Sequence, residues 1–172
     1  SVSLLGDYYT EGSWFSGGQH SIQASWGEIL DLIKTVQPDQ LWIGTDSHLK
    51  QHDFIFATAL VICKESETQS ERLRLYYVHR SRVPLKHYKD HLASGLRRRL
   101  SDEVQRSVDL ALGVEAETGL KAIVHVDVNA SEVHKSGKYA KQLSNYVKGC
   151  GFEVEIKPDA WASSGVADKH SK

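Results

Sequence analysis

Apolar residues return along this chain with two different periods, and the switches between them divide it into elements. Residues 1–20, SVSLLGDYYTEGSWFSGGQH, mix Gly, Ser and aromatics with no period and read as an arm or loop lying on the domain that follows. Behind it Ser25 and Glu28 stand at capping-box spacing. Ile22, Trp26, Ile29, Leu30 and Ile33 recur at helical intervals until Pro38, so a short amphipathic helix is predicted. Three strands are then predicted, Leu41–Ser47, Phe54–Cys63 and Leu73–His79, parted by polar residues and joined as an antiparallel meander. The middle one, FIFATALVIC, is apolar on both faces, as a strand covered on two sides must be.

After Pro84 a long helix runs from about His87 to Glu117, with Gly119 as its C-terminal breaker. LKAIVHVDVN reads as a buried strand, Ser136–Lys148 as a helix with Tyr139, Leu143, Tyr146 and Val147 on one face, and FEVEIKP as a further strand. Strand, helix, strand implies a parallel, right-handed crossover. AWASSGVADKHSK closes the chain as a short helix. The whole describes one α/β domain over residues 21–172.

Composition narrows the class. With 172 residues, 40% hydrophobic and 25% charged, the chain can bury a core, which excludes collagen-like, mucin-like and acidic-tail proteins. Lys and Arg number 21 against 22 Asp and Glu, so a polyanionic partner would be held by local charge and not by a global field. Two distant cysteines, Cys63 and Cys150, encode neither a disulfide framework nor a zinc knuckle, which favours a reducing compartment. With no basic-then-apolar leader and no long apolar run, a soluble cytoplasmic protein away from membranes is expected.

Four acidic residues stand where packing alone does not ask for them. Asp46 ends an apolar strand in Gly44-Thr45-Asp46-Ser47, and Asp127 ends another in His125-Val126-Asp127. If those strands are parallel neighbours, the carboxylates lie one strand spacing apart, roughly 5 Å, at the strands' carboxyl ends, where α/β ligands gather. On a wheel of about 100° per residue from Leu92, Glu103 falls inside the apolar arc of Leu110, Val114, Leu100 and Val104, whereas Asp102 and Asp109 fall on the polar side. A buried charge there asks for a partner or a metal. Asp168, seven residues after Trp161 and three after Gly165, shares their face of the last helix. Converging carboxylates repel, and a hard divalent cation such as Mg²⁺ or Mn²⁺ relieves them.

Blander readings stand beside these. A strand-end Asp can be a turn former or helix cap, and Glu103 has Arg99 and Arg106 one turn away. His48 and His52 lie in a strand-turn without a shared helical face and read as surface residues, while His125 reads as a core histidine. His170, close behind Asp168, is a candidate proton shuttle. Of the basic residues, Arg98 near 240° and Arg99 near 340° on the same wheel, with His87 and Tyr88 close in sequence, suggest a phosphate-tracking surface. Lys157, ahead of Pro158, stands where a phosphate would meet the sheet's carboxyl end. GxxxxGK[ST], GxGxxG and GxSxG are all missing, against nucleotide-loop, dinucleotide and serine-hydrolase chemistry.

The succession of three strands, helix, strand, helix, strand, helix with carboxylates in the order Asp, Glu, Asp, Asp resembles the ribonuclease H-like fold. IGTDSH, RRRLSDEVQRSVDLA, HVDVN and KPDAWASSGVADKHSK are similar to the bacterial YkuK-like family within it, from about Phe15 to the C-terminus. The resemblance implies a mixed five-stranded sheet of order 3-2-1-4-5 flanked by helices. It implies that Asp46, Glu103, Asp127 and Asp168 are catalytic residues and metal ligands, for what are in that superfamily two Mg²⁺ or Mn²⁺ ions, and that water attacks a phosphodiester in line to leave 5′-phosphates. RNA, DNA or hybrid is then the expected partner, with Lys157, His170, Arg98 and Arg99 on the substrate. Two other readings are a non-catalytic module of this fold that binds nucleic acid or protein, and a phosphohydrolase of a small nucleotide.

Overall fold

The computed structural model describes residues 5–17, 22–65, 72–88, 92–129 and 138–157. A 3₁₀ helix (Leu5–Thr10) leads into β1 (Trp14–Ser16), β2 (Ile22–Ala24), α1 (Trp26–Val36), β3 (Gln40–Lys50), β4 (Asp53–Glu65) and β5 (Arg72–Pro84). A second 3₁₀ helix (Leu85–Tyr88), α2 (Leu92–Thr118), β6 (Ile123–Asn129), α3 (Lys138–Gly149) and β7 (Glu153–Lys157) follow. The closing helix expected after residue 159 lies outside the described residues.

The sheet runs β2-β1-β5-β4-β3-β6-β7. Its last five members are the predicted meander and crossover in the predicted order, with β3–β4–β5 antiparallel and β6 and β7 parallel to β3. The expected count of five strands is corrected to seven, because a hairpin of β1 and β2 adds to the edge of β5 through Trp14 opposite His79. Strands of three residues are too short to show an alternation. Ile22, expected on the helix, therefore sits in β2, 66% exposed, and α1 starts at Trp26 behind a complete capping box on Ser25. The meander strands are also longer than expected, because charged ends such as Arg80 and Arg82 hide a strand from a hydrophobic pattern.

Alternation divides the side chains cleanly. Leu41, Ile43, Leu60, Ile62, Val124 and Val126 face one side, where they pack with Val104, Val108 and Val114 of α2, Ile29 and Ile33 of α1, and Leu143 and Val147 of α3. Trp42, Val61, Cys63, Ala57, Ala59 and Val78 fill the other. The two-sided apolarity of β4 is thus used on both faces.

The first residues are held by aromatic packing. Tyr8, Tyr9, Trp14 and Trp26 meet edge to face or stacked, and Trp14 Nε1 donates to the Tyr9 carbonyl at 3.0 Å. Tyr9 lies against Gly113 of α2, where a Cβ would run into its hydroxyl and come within 2.8 Å of Cζ. Gly→Ala inside a helix ordinarily adds up to about 1 kcal/mol. Here Gly113→Ala is expected to do the reverse, costing about 1–3 kcal/mol through overpacking. Denaturant unfolding reads the sign, and Tyr9→Phe in the same chain should recover part of the loss; unchanged or raised stability in the single variant would show that this contact does not hold the arm.

Candidate carboxylate site

β3 and β6 pair in parallel with Trp42 opposite Ile123, Ile43 opposite Val124 and Gly44 opposite His125. That pairing ends two residues short of Asp46 and Asp127, and β6 departs from regular register with β7 after Val126. On β3, alternation turns Asp46 toward the face of Trp42. Asp46 is buried, Asp127 half-buried. On the same face, two residues beyond Asp46, His48 brings Nε2 to 3.1 Å from Asp46 Oδ2.

Thr45 and Ser47, on either side of Asp46, point the opposite way and bond to α2. Ser47 Oγ donates to Glu103 Oε1 at 2.5 Å, and Thr45 Oγ1 lies 2.7 Å from Ser107 Oγ, one helical turn further on. Thr45 Oγ1 is also 3.1 Å from Thr58 Oγ1, which meets the Tyr8 hydroxyl at 2.9 Å. A chain of buried hydroxyls therefore pins α2 to β3 at the level of Asp46.

Glu103 is 6% exposed, as its place in the apolar arc predicts. Burial pushes its carboxyl up to about 8; the Ser47 hydroxyl opposes this, the charges of Asp46 and Asp127 add to it, and the Arg99 guanidinium again opposes. Two of the predicted carboxylates, Asp46 and Asp127, thus act electrostatically on a third, Glu103. Among the described residues, however, no three His, Cys, Asp or Glu side chains are grouped as a metal ion would require. The fourth, Asp168, and His170 lie outside the described residues.

The two arginines part ways. Arg99 is half-buried with its guanidinium 5.0 Å from the Phe54 ring centroid, on the Glu103 side, whereas Arg98 is exposed and stands over Tyr88 at 5.8 Å. Lys157 ends β7 opposite Asn129, beyond an irregularity that follows Val126, so its backbone is at the carboxyl end of the parallel strands. His125 is fully buried with Nε2 at 2.9 Å from Glu155 Oε2 on the neighbouring strand, and burial lowers its pKa to about 4. Sequence reasoning missed Ser47 and placed His48 among surface residues. The period of two from Asp46 was the available signal for His48; nothing local marks Ser47, whose partner is 56 residues away.

The sheet in this order is a mixed α/β sheet that carries acidic residues within β3 and β6 and on the helix packed against them. Residues 26–172 match the family described as Ribonuclease H-like, and the chain belongs to that family. No curated protein and no solved structure matches it. Among the described residues no helix is long and apolar enough to cross a membrane.

The raised Glu103 carboxyl sets a pH dependence in the metal-free protein. Between its ordinary value of 4.5 and about 8 the folded chain holds a proton that the unfolded chain has released. Stability from this group is therefore full below the lower value and falls as pH rises through the window. A loss of a few kcal/mol by pH 8 is expected in chelator, and Glu103→Gln should flatten that part of the profile. Denaturation midpoints in steps from pH 4.5 to 8.5 test it; identical slopes for the two proteins would remove Glu103 as the cause.

Proposed function

We propose that the chain is a divalent-metal-dependent phosphodiester hydrolase that cleaves nucleic acid. The observation that carries this reading is Glu103, an ionisable group kept in the core whose carboxyl feels the charges of Asp46 and Asp127. Such an arrangement costs stability and is retained where charge is needed. The donors are hard carboxylate oxygens, the chemistry that Mg²⁺ or Mn²⁺ takes, and a cation would relieve their repulsion. Asp46, Glu103 and Asp127 would hold it, with Asp168 as a further ligand and two ions in all, as the family resemblance implies. When bound, the metal supplies Lewis acidity and an activated water for in-line attack.

The chain's own groups prepare that site. Ser47 fixes Glu103 by one carboxylate oxygen, leaving the second for a ligand. His48 holds Asp46 from two residues along the same strand. The Thr45–Ser107 contact keeps α2 from sliding, so the acid of the helix stays level with that of β3. Arg98, Arg99 and Lys157 supply positive charge for the substrate strand. The resemblance to the YkuK-like family fits this reading.

Calorimetric titration of Mn²⁺ into wild type and Asp46→Asn, followed by cleavage of labelled RNA, DNA and hybrid oligonucleotides, tests it. Expected are metal binding lost in the variant and a fall in cleavage of a hundredfold or more, with 5′-phosphate products in wild type (about two decades for a lost ligand). Full metal-dependent cleavage by both Asp46→Asn and Asp127→Asn would overturn the assignment. Metal binding without cleavage would favour a small-nucleotide phosphohydrolase, and no metal binding a non-catalytic module.

A further inference from the structure

A cavity of about 400 Å³ opens between the end of β5, the second 3₁₀ helix and the outer flank of α2. None of Asp46, Glu103 and Asp127 lines it, so it is a different site from the carboxylates. It is nonetheless built on the same helix, because Asp102, on its wall, is the neighbour of Glu103 and points about 100° away around α2.

Its walls carry three kinds of group. Val83 and Pro84 are apolar. Arg82 and Arg98 are exposed cations at its margin; Arg82 lies 3.5 Å from Asp53, and Arg98 stands over the Tyr88 ring as a flat cationic surface with an aromatic behind it. Arg106, also on the lining, is spent on Ser81 at 2.6 Å and on the rings of Tyr8 and Phe56 at 4.5 and 4.4 Å. Asp102, which accepts from the Tyr88 hydroxyl, and Asp109, which accepts from Gln105 at 2.8 Å, supply fixed acceptors.

We infer that this cavity takes one unpaired nucleotide of the substrate strand, with its base against the Arg98 guanidinium and Pro84 and its phosphate on Arg82 and Arg98. Bases stack on guanidinium planes as on aromatic rings, and exposed arginines pair with phosphate. Asp102 and Asp109 are acceptors of the kind that exocyclic amino groups seek. The volume is that of a small-ligand site, and a base enters such a space only when it is splayed out of any duplex. The inference rests on the phosphodiesterase reading and names its substrate class as single-stranded or locally unpaired nucleic acid.

The test uses the full chain in chelator. AMP and inorganic phosphate are titrated by calorimetry, and a labelled single strand and its duplex by fluorescence anisotropy, into wild type, Arg98→Ala and Arg82→Ala. Expected are saturable AMP binding at least tenfold tighter than phosphate, single strand favoured over duplex at least tenfold, and both AMP and single strand weakened at least tenfold in each variant. Both side chains are exposed, so unchanged melting temperatures are expected to show that folding is intact. Phosphate bound as tightly as AMP, AMP bound by Arg98→Ala as by wild type, or duplex bound as tightly as single strand would each overturn the proposal. AMP binding lost in Arg98→Ala while single-strand affinity stands would assign the site to a free nucleotide and overturn its place on the strand. In the same wild-type preparation, metal-dependent cleavage without AMP binding removes this site alone, and AMP binding without cleavage removes the phosphodiesterase reading alone.

Discussion

The contact on which the rest of this molecule depends is between Glu103 and Ser47. A carboxyl set among Val104, Val108 and the apolar side chains of β3 loses its hydration, and a serine hydroxyl at 2.5 Å is the compensation the fold provides. The same contact settles the position of α2 along β3. A one-residue slide would face the hydroxyl with an aliphatic side chain and leave the acid unpartnered, a cost of a few kcal/mol that loss of apolar packing alone would not impose. The Thr45–Ser107 bond repeats the constraint one turn later.

From there the network passes outward to the beginning of the chain. Thr58 carries it across the sheet to Tyr8, whose ring also lies on the Arg106 guanidinium. His79 joins in from β5: its Nε2 is 2.8 Å from the Glu11 carbonyl, and burial lowers its pKa, opposed by that carbonyl and aided by Arg106. The added hairpin then has a purpose beyond strand count, since it covers the edge of β5 and leaves the three-residue β2 as the outermost strand on that side. One helix serves several surroundings because each residue turns about 100° from the last. Glu103 and Val104 look into the core, Arg99 lies at its edge over Phe54, and Arg98 and Asp102 look toward the cavity beside β5.

Much of the fold was legible because the patterns behind it are local. The capping box of Ser25 and Glu28, the 3.6-residue recurrence on α1 and α3 and the unbroken apolar run of β4 each express physics within a dozen residues. The wheel on α2 separated buried Glu103 from Asp102 and Asp109, and exposed Arg98 from half-buried Arg99, because burial of a helical face is periodic. β1 and β2 escaped notice because three residues have no period, and the charged end of β5 because burial, not strand geometry, is what a hydrophobic pattern reports.

What the sequence alone determined is therefore the helices α1 to α3 and the strands β3 to β7, the α/β class, and that Glu103 would be costly to bury. Tertiary structure alone decided the partners. The contact of His48 with Asp46 is local to β3, whereas the bond of Ser47 to Glu103, 56 residues on, and the arginines from β5 and α2 that line one cavity are juxtapositions of separate elements. Such contacts follow from strand register and helix docking, which are set by the sum of many weak non-local terms and leave no period in the chain.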